Sequence, residues 1–390
     1  MQQLKNTIHL LIRSGITGEK SVLPADTDMQ QVYTQLKRHS ITALGYVGLV
    51  NCGADKNDPV MKQLFRDYIA VMLKSEKQLA AIEKLFTAFE EKGIDYLPLK
   101  GINMKKLYPK HELRSMGDAD VLIRKEKYED AVAIVKEQGY SFVLQASHTK
   151  NWENDSLHLE IHTDLMPDSD EDYYNYFEEC WEKAVHKNGF RFDFSTEDEF
   201  MFLFTHFARH FRCGGIGYRQ FTDLWVYTRS NPQMNYEYIL QGMKQLGIEQ
   251  FYTNVMRTVK VCFEGAEADG QTDLIAEYIF NSGNWGSITS HTIAKGVQGR
   301  LTGDADNKNI KVYSFFDSLF PKLEIIRIRY PVLHRHPKLL PVMWVVRIVD
   351  AMFNRRDGIK TKIKEVKVIN EEDVDRQKQL FEQIGLEYNF

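Results

Sequence analysis

The spacing of apolar residues changes twice along this chain, and these changes constrain the fold more than any other feature of the sequence. Up to Lys92, apolar residues recur every three or four positions, most clearly from Met61 to Phe89, which predicts helices. After Gly93 the pattern becomes short β-rich runs separated by helices, and later it is helical again. We therefore predict an α+β protein in three parts: a helical N-terminal region over 1–92, an α/β core over 93–195 and a helical C-terminal domain over 196–390.

The same patterns place individual elements. A helix over Lys125–Glu137 separates two of the strands of the middle part. The C-terminal part begins with helices over Glu197–Phe211 and Phe221–Arg229, and the polar, aperiodic stretch 286–309 favours a loop. The predicted strands are Tyr96–Leu99, Val121–Ile123, Tyr140–Leu144 and Leu157–Thr163.

The composition predicts a folded, soluble protein. Of 390 residues, 43% are hydrophobic, which supports a large core, and the net charge of −4 provides no global attraction to nucleic acid or an anionic membrane. The N-terminus lacks a signal-peptide pattern, and the longest apolar run, Leu339–Val346, is far shorter than the roughly 20 residues that cross a bilayer. We expect a cytoplasmic protein without a membrane span, with four scattered, reduced cysteines at Cys52, Cys180, Cys213 and Cys262.

Residues 322–367 are locally basic. Such a stretch is either the solvated face of a helix or a patch that binds a polyanionic substrate. The sequence leaves both interpretations open.

Two aspartates precede a buried β-run in the segment Gly117–Ile123. Carboxylates at i and i+2 lie on one face of a strand, about 6 to 7 Å apart, so that Asp118 and Asp120 can bind one cation together. Mg²⁺ prefers such oxygen ligands and completes its octahedron with water and substrate phosphates. The alternative is a surface turn, which we assign to the second Gly-Asp-Ala-Asp copy, 303–306, because polar residues follow it.

A third carboxylate lies in the strictly alternating segment Leu157–His162. Alternation places the apolar residues on one face and Glu160 on the other. If this strand lies beside that of Asp118 and Asp120, the three carboxylates can hold two Mg²⁺ ions.

Two histidine pairs raise a zinc site as an alternative. Imidazole is a common zinc ligand. Neither pair has the glutamate of a His-Glu-x-x-His helix, and hydrogen-bonded structural histidines are the ordinary interpretation. The pairs are His158 with His162 and His206 with His210.

A candidate phosphate site lies upstream of the aspartates. Lys100–Gly101 follows the predicted strand Tyr96–Leu99 and precedes a predicted helix over Ile102–Leu107. A helix N-terminus presents free N–H groups to phosphate, and glycine allows close approach. Lys100 adds a positive charge, and Arg114 can bind phosphate with two hydrogen bonds.

Four short motifs follow one another along the chain: Leu99–Gly101, Leu107–Pro109, Arg114–Asp120 and Glu160–His162. Their combination resembles a bacterial family of largely uncharacterised nucleotidyltransferases within the DNA polymerase β-like superfamily. The resemblance covers most of the chain after about residue 40. It extends through His206, His210 and Arg219–Leu224, and more weakly to Arg329–Pro331.

The resemblance implies a small mixed sheet flanked by helices. It also implies that Asp118 and Asp120 are metal ligands and that Glu160 is the third carboxylate. The usual Gly-Ser pair of the superfamily is replaced here by Lys100–Gly101, and the spacing to Asp118 is longer than usual.

Together these features predict a magnesium-dependent nucleotidyltransferase. An acceptor oxygen would attack the α-phosphorus of a nucleoside triphosphate in line and release pyrophosphate, with Asp118, Asp120 and Glu160 as the catalytic carboxylates. The acceptor can be a small molecule, an RNA or a protein. The alternatives are a non-catalytic nucleotide-binding or protein-interaction module on the same fold and a zinc hydrolase. Arg219 and Asp223, at i and i+4, can instead form an ordinary intrahelical ion pair. The predicted nucleotide contacts are Lys100, Gly101, Arg114, Gly117, Arg219 and Asp223.

Overall fold

The structure is a computed structural model. It describes residues 1–145, 148–168, 170–284, 286, 293–294, 320, 323, 326, 330, 332–354 and 371–386. Helices precede and follow a seven-stranded mixed sheet, so the predicted α+β class is confirmed. The division into three domains stays a prediction.

Four helices form the N-terminal region, and the last is the longest. It begins where the Asp58 carboxylate accepts the backbone N–H of Val60 and Pro59 occupies the first turn. It ends at Gly93, whose φ of 65° is the left-handed conformation that glycine adopts readily. The helices are α1 Gln2–Thr17, α2 Met29–Arg38, α3 Thr42–Asn51 and α4 Pro59–Lys92.

The central region contains the sheet and three helices. Its strands are β1 Tyr96–Leu99, β2 Ala119–Ile123, β3 Ser141–Gln145, β4 Thr149–Glu153, β5 His158–His162, β6 Ala184–Asn188 and β7 Arg191–Phe194. Its helices are α5 Gly101–Met104, α6 Tyr128–Glu137 and α7 Glu171–Phe177, with 3₁₀ turns at Lys105–Leu107, His111–Leu113 and Lys125–Lys127.

The strand order is β3-β4-β5-β2-β1-β7-β6. Strand β2 pairs in parallel with β5 and antiparallel with β1. One face of the sheet is covered by apolar residues of α4 and α6, such as Leu85 and Val135. The site lies on the other side, towards the C-terminal helices.

The C-terminal helices build an aromatic core. Phe204 and Phe207 of α8 contact Phe251 of α11, with ring centroids 5.9 and 6.4 Å apart. The same apolar cluster includes Leu11 of α1, so N- and C-terminal helices share a core. The helices are α8 Thr196–Arg212, α9 Tyr218–Ser230, α10 Tyr236–Gln245, α11 Glu249–Glu264, α12 Gly270–Ser282, α13 Val332–Arg335, α14 Leu340–Asn354 and α15 Glu371–Ile384, with a 3₁₀ turn at Pro337–Leu339.

The four predicted strands are present, with small shifts of their ends except in β1, and the predicted helices correspond to α5, α6, α8 and α9 with their adjoining 3₁₀ turns. Three strands were missed. Strand β4 carries polar residues because Thr149 lines a cavity and Asn151 contacts a carboxylate, so it lacks apolar alternation. Strands β6 and β7 pair as a hairpin whose outer strand, β6, is the largely exposed edge of the sheet, while β7 is only half-buried and contains four residues.

Some predictions fall on other parts of the chain. Most of the predicted loop over 286–309, all of the second Gly-Asp-Ala-Asp copy at 303–306 and much of the basic stretch 322–367 lie outside the described residues. Within the described part of the chain, no helix is both long enough and apolar enough to cross a membrane.

Candidate active site

Most of the predicted site residues line one cavity of about 250 Å³ between the sheet and helices α8 and α9. The carboxylates enter from β2, from the residues just before it and from β5. The basic residues enter from the end of β1, from the segment before β2 and from α8 and α9. Gly117 is the predicted site residue that is absent from this lining. The lining includes Lys100, Gly101, Arg114, Asp118, Asp120, Glu160, Arg219 and Asp223.

The parallel pairing of β2 with β5 places Asp120 directly opposite Glu160. Asp120, Glu160 and His162 each offer a ligand atom within 4.8 Å of the others, and they are the sole such group among the described residues. Asp118 is not in this closest set, because it precedes the first residue of β2, but it lines the same cavity. The pairing required by the three-carboxylate hypothesis is therefore present, and His162 is a candidate ligand that remained unassigned in the sequence.

Asp120 is a buried carboxylate surrounded by donors. Its Oδ1 accepts from Lys100 Nζ at 2.8 Å and lies 2.9 Å from Nε2 of His162. Burial alone would raise the pKa of Asp120, but the Lys100 ammonium and the His162 hydrogen bond together lower it well below its usual value. Burial lowers the pKa of His162, so the neutral ring donates through Nε2. Asp120 is therefore ionised at neutral pH.

The pKa of Glu160 shifts in the opposite direction to that of Asp120. Burial raises its pKa to about 7, and the negative charges of Asp120 and Asp118 add to this shift. Its Oε1 accepts a 2.6 Å hydrogen bond from Asn151 Nδ2 on β4, which orients the carboxylate. The crowding of three carboxylates is an arrangement that a divalent cation would stabilise.

Lys100 has an unusual backbone. With φ 44° and ψ −111°, it occupies a region that costs a non-glycine residue about 1 to 3 kcal/mol. The side chain is 13% exposed, and its ammonium lies 5.6 Å from the centre of the Phe202 ring. Strain of this kind persists where surrounding contacts hold the residue, and here those contacts are made at the carboxylate cluster.

A second buried charge cluster joins the central region to α9. Arg114 donates to both oxygens of Asp223, at 3.3 Å from Nε and 2.8 Å from Nη2, and Tyr108 donates to Oδ1 at 2.8 Å. Arg219 donates to the carbonyl of Ser115 at 3.1 Å, and burial together with nearby Arg114 lowers its pKa to about 10. Asp223 therefore pairs with Arg114 across the chain, and its negative charge also acts on Arg219 of its own helix.

Gly101 lies against the side chain of Arg114. A Cβ at this position would lie 2.5 Å from Nη1 of Arg114. The absence of a side chain thus lets Arg114 approach the end of β1, so packing as well as phosphate access favours glycine at this position.

The histidines of α8 form part of the opposite wall. His206 and His210 both line the cavity, with ring centroids 4.3 Å apart, and His148 joins them from the segment before β4. Burial lowers the pKa of His206 well below its usual value, so this ring is neutral. Among the described residues, the only group of three histidine, cysteine or acidic side chains with ligand atoms within 4.8 Å of one another is Asp120, Glu160 and His162.

Comparison with protein families gives one match. A family model described as "Uncharacterised nucleotidyltransferase" matches residues 25–264, more than half of the chain. The chain belongs to this family. The matched region contains α2 through α11, and with them every residue of the carboxylate cluster and of the Arg114–Asp223 pair. No curated protein and no solved structure matches the chain.

Proposed function

We propose that this nucleotidyltransferase moves a nucleoside monophosphate from a nucleoside triphosphate to an acceptor and releases pyrophosphate. The observation that carries this proposal is the parallel β2–β5 pairing, which faces Asp120 towards Glu160 in the cavity that Asp118 also lines. Membership of the family supports the reaction class.

The donor set suits Mg²⁺. Asp118, Asp120 and Glu160 offer hard oxygen ligands in one cavity. Burial raises the pKa of Glu160, and the negative charges of Asp120 and Asp118 add to this shift, so a bound divalent cation would stabilise the ionised carboxylate. These three residues would hold one or two Mg²⁺ ions, with His162 placed to assist through its bond to Asp120. When bound, such ions neutralise phosphate charge and favour ionisation of an attacking hydroxyl.

The remaining residues would bind and orient the triphosphate. Arg219 and Lys100 carry positive charge into the cavity, and charged groups placed in a buried site stabilise developing phosphate charge more than they would in water. Arg114 has both ends of its fork on Asp223 and would act by holding the cavity wall. Asn151 keeps the Glu160 carboxylate turned towards Asp120.

Labelled triphosphates incubated with the protein, Mg²⁺ and a cell extract test this function. We expect label transfer together with pyrophosphate release, and we expect Asp118→Asn, Asp120→Asn and Glu160→Gln to abolish both. Asp120→Asn should also lower the melting temperature, because it leaves the Lys100 ammonium without its buried charge partner. Asp118→Asn and Glu160→Gln should leave the melting curve largely intact and thus separate loss of activity from loss of fold. Glu153→Gln, an exposed change on neighbouring β4, is the matched control and should retain activity. Triphosphate binding without pyrophosphate release would indicate a non-catalytic module instead.

A further inference from the structure

A positively charged side chain, that of Lys100, lies at the carboxylate cluster. The ammonium of Lys100 is 2.8 Å from Oδ1 of Asp120, the residue that β-sheet pairing places opposite Glu160. The same oxygen also receives the hydrogen bond of His162 at 2.9 Å. Two donors therefore occupy the carboxylate oxygen that a divalent cation would approach.

The position of Lys100 is held by the fold. Register in the sheet pairs Leu99 with Asp120, which brings the next residue, Lys100, to the end of the aspartate side chain. The positive φ of Lys100 turns its side chain into the cavity at the start of α5. A strained backbone at a carboxylate cluster indicates that neighbouring contacts keep this lysine in place.

A divalent cation and an ammonium cannot share this oxygen without repulsion. Charges a few ångströms apart in a buried site interact strongly because water screens them poorly. The lysine stem has four flexible carbons, so its ammonium can leave Asp120 while the backbone stays in place. The lysine would then face the part of the cavity lined by Gly101 and Arg219.

We propose that Lys100 is a tethered competitor for the metal: its ammonium occupies Asp120 in the metal-free protein, and a divalent cation binds only when Lys100 releases this carboxylate. The proposal rests on the proposed function, since it assumes that the carboxylates bind metal. In this arrangement Lys100 stabilises the metal-free cluster against the mutual repulsion of Asp120 and Glu160, and it becomes available to phosphate once the metal has entered.

Titration with Mn²⁺ in the absence of nucleotide, followed by calorimetry and by the electron paramagnetic resonance signal of free Mn²⁺, tests this directly. Removing one charged hydrogen bond from the ligand oxygen corresponds to about a tenfold gain in affinity. We expect this gain in Lys100→Met and in Lys100→Gly, the latter suited to the positive φ of this position. Lys106→Met is the matched control, because it removes the same charge from an exposed site on the adjoining 3₁₀ turn and should bind Mn²⁺ as the wild type does. Lys100→Arg keeps the charge and should keep the weak affinity.

The outcomes separate this proposal from the proposed function. If the wild type and both Lys100 variants bind no more Mn²⁺ than Asp120→Asn, the metal site itself is refuted. If the wild type binds Mn²⁺ more tightly than Asp120→Asn, but Lys100→Met and Lys100→Gly bind equally to or more weakly than the wild type, the competition is overturned while the metal site stands. A gain of the same size in Lys106→Met would also overturn it, because the effect would then be one of net charge.

Discussion

Replacing Asp223 with asparagine removes the anion from the buried cluster that joins α9 to the segment before β2. Asp223 is 0% exposed and accepts three hydrogen bonds, two from Arg114 and one from Tyr108. Arg114 is only 6% exposed, so the variant leaves a guanidinium buried without its charge partner. The asparagine amide would also direct N–H groups towards one of the arginine donors.

Loss of one partner of a buried ion pair costs about 3 to 5 kcal/mol, because the remaining charge stays desolvated. We expect Asp223→Asn to lower the free energy of unfolding by this amount. Arg114→Met should have a similar effect, because it leaves the carboxylate buried. The double variant should be more stable than the sum of the single effects predicts, by about 2 kcal/mol or more, since it leaves neither charge unpaired.

Urea denaturation followed by circular dichroism measures these values. Asp193→Asn is the control, because Asp193 makes a comparable two-pronged pair with Arg191 but both side chains are about one quarter exposed, at 22% and 24%. Such an exposed pair contributes less than about 1 kcal/mol. An equal loss of stability in the Asp223 and Asp193 variants would refute the reasoning that burial makes the Arg114 pair important.

Three further outcomes are expected. Burial lowers the pKa of His39 to about 4, and its Nδ1 accepts the N–H of Tyr218, so folding favours the neutral ring. The contribution of His39 to the free energy of unfolding is complete above the pKa of an unfolded histidine and is lost as the pH falls, by about 2 kcal/mol at about pH 5. His39→Gln should therefore show a weaker pH dependence of unfolding than the wild type, and an unchanged pH dependence would contradict this role. Gly101→Ala should lower the free energy of unfolding by about 1 to 3 kcal/mol, measured by thermal denaturation, because the new Cβ displaces Arg114. Gly270→Ala, where a Cβ meets no atom within 4 Å, should change stability little; equal melting temperatures of the two alanine variants would contradict the packing argument.

The sequence alone determined the elements that carry the carboxylates. The alternation of Leu157, Leu159 and Ile161 with polar residues set which face of β5 Glu160 occupies, because side chains of a strand alternate between its faces. Likewise, the apolar run after Asp120 predicted β2. These signals are local, since they depend only on the period of neighbouring residues, and a family resemblance connected them into one hypothesis.

The tertiary structure decided which of these elements meet. Strand β2 pairs in parallel with β5, and Arg114 pairs with Asp223, 109 positions later in the chain. Residues so far apart in the chain produce no periodic pattern in the sequence, so these contacts could not be predicted from it. The polar strand β4 was not predicted for a related reason. Its side chains that face the site are polar and do not follow the apolar alternation of a half-buried strand. The role of Lys100 beside Asp120 likewise depends on sheet register, which is set by burial of the whole sheet and by the turns that join its strands.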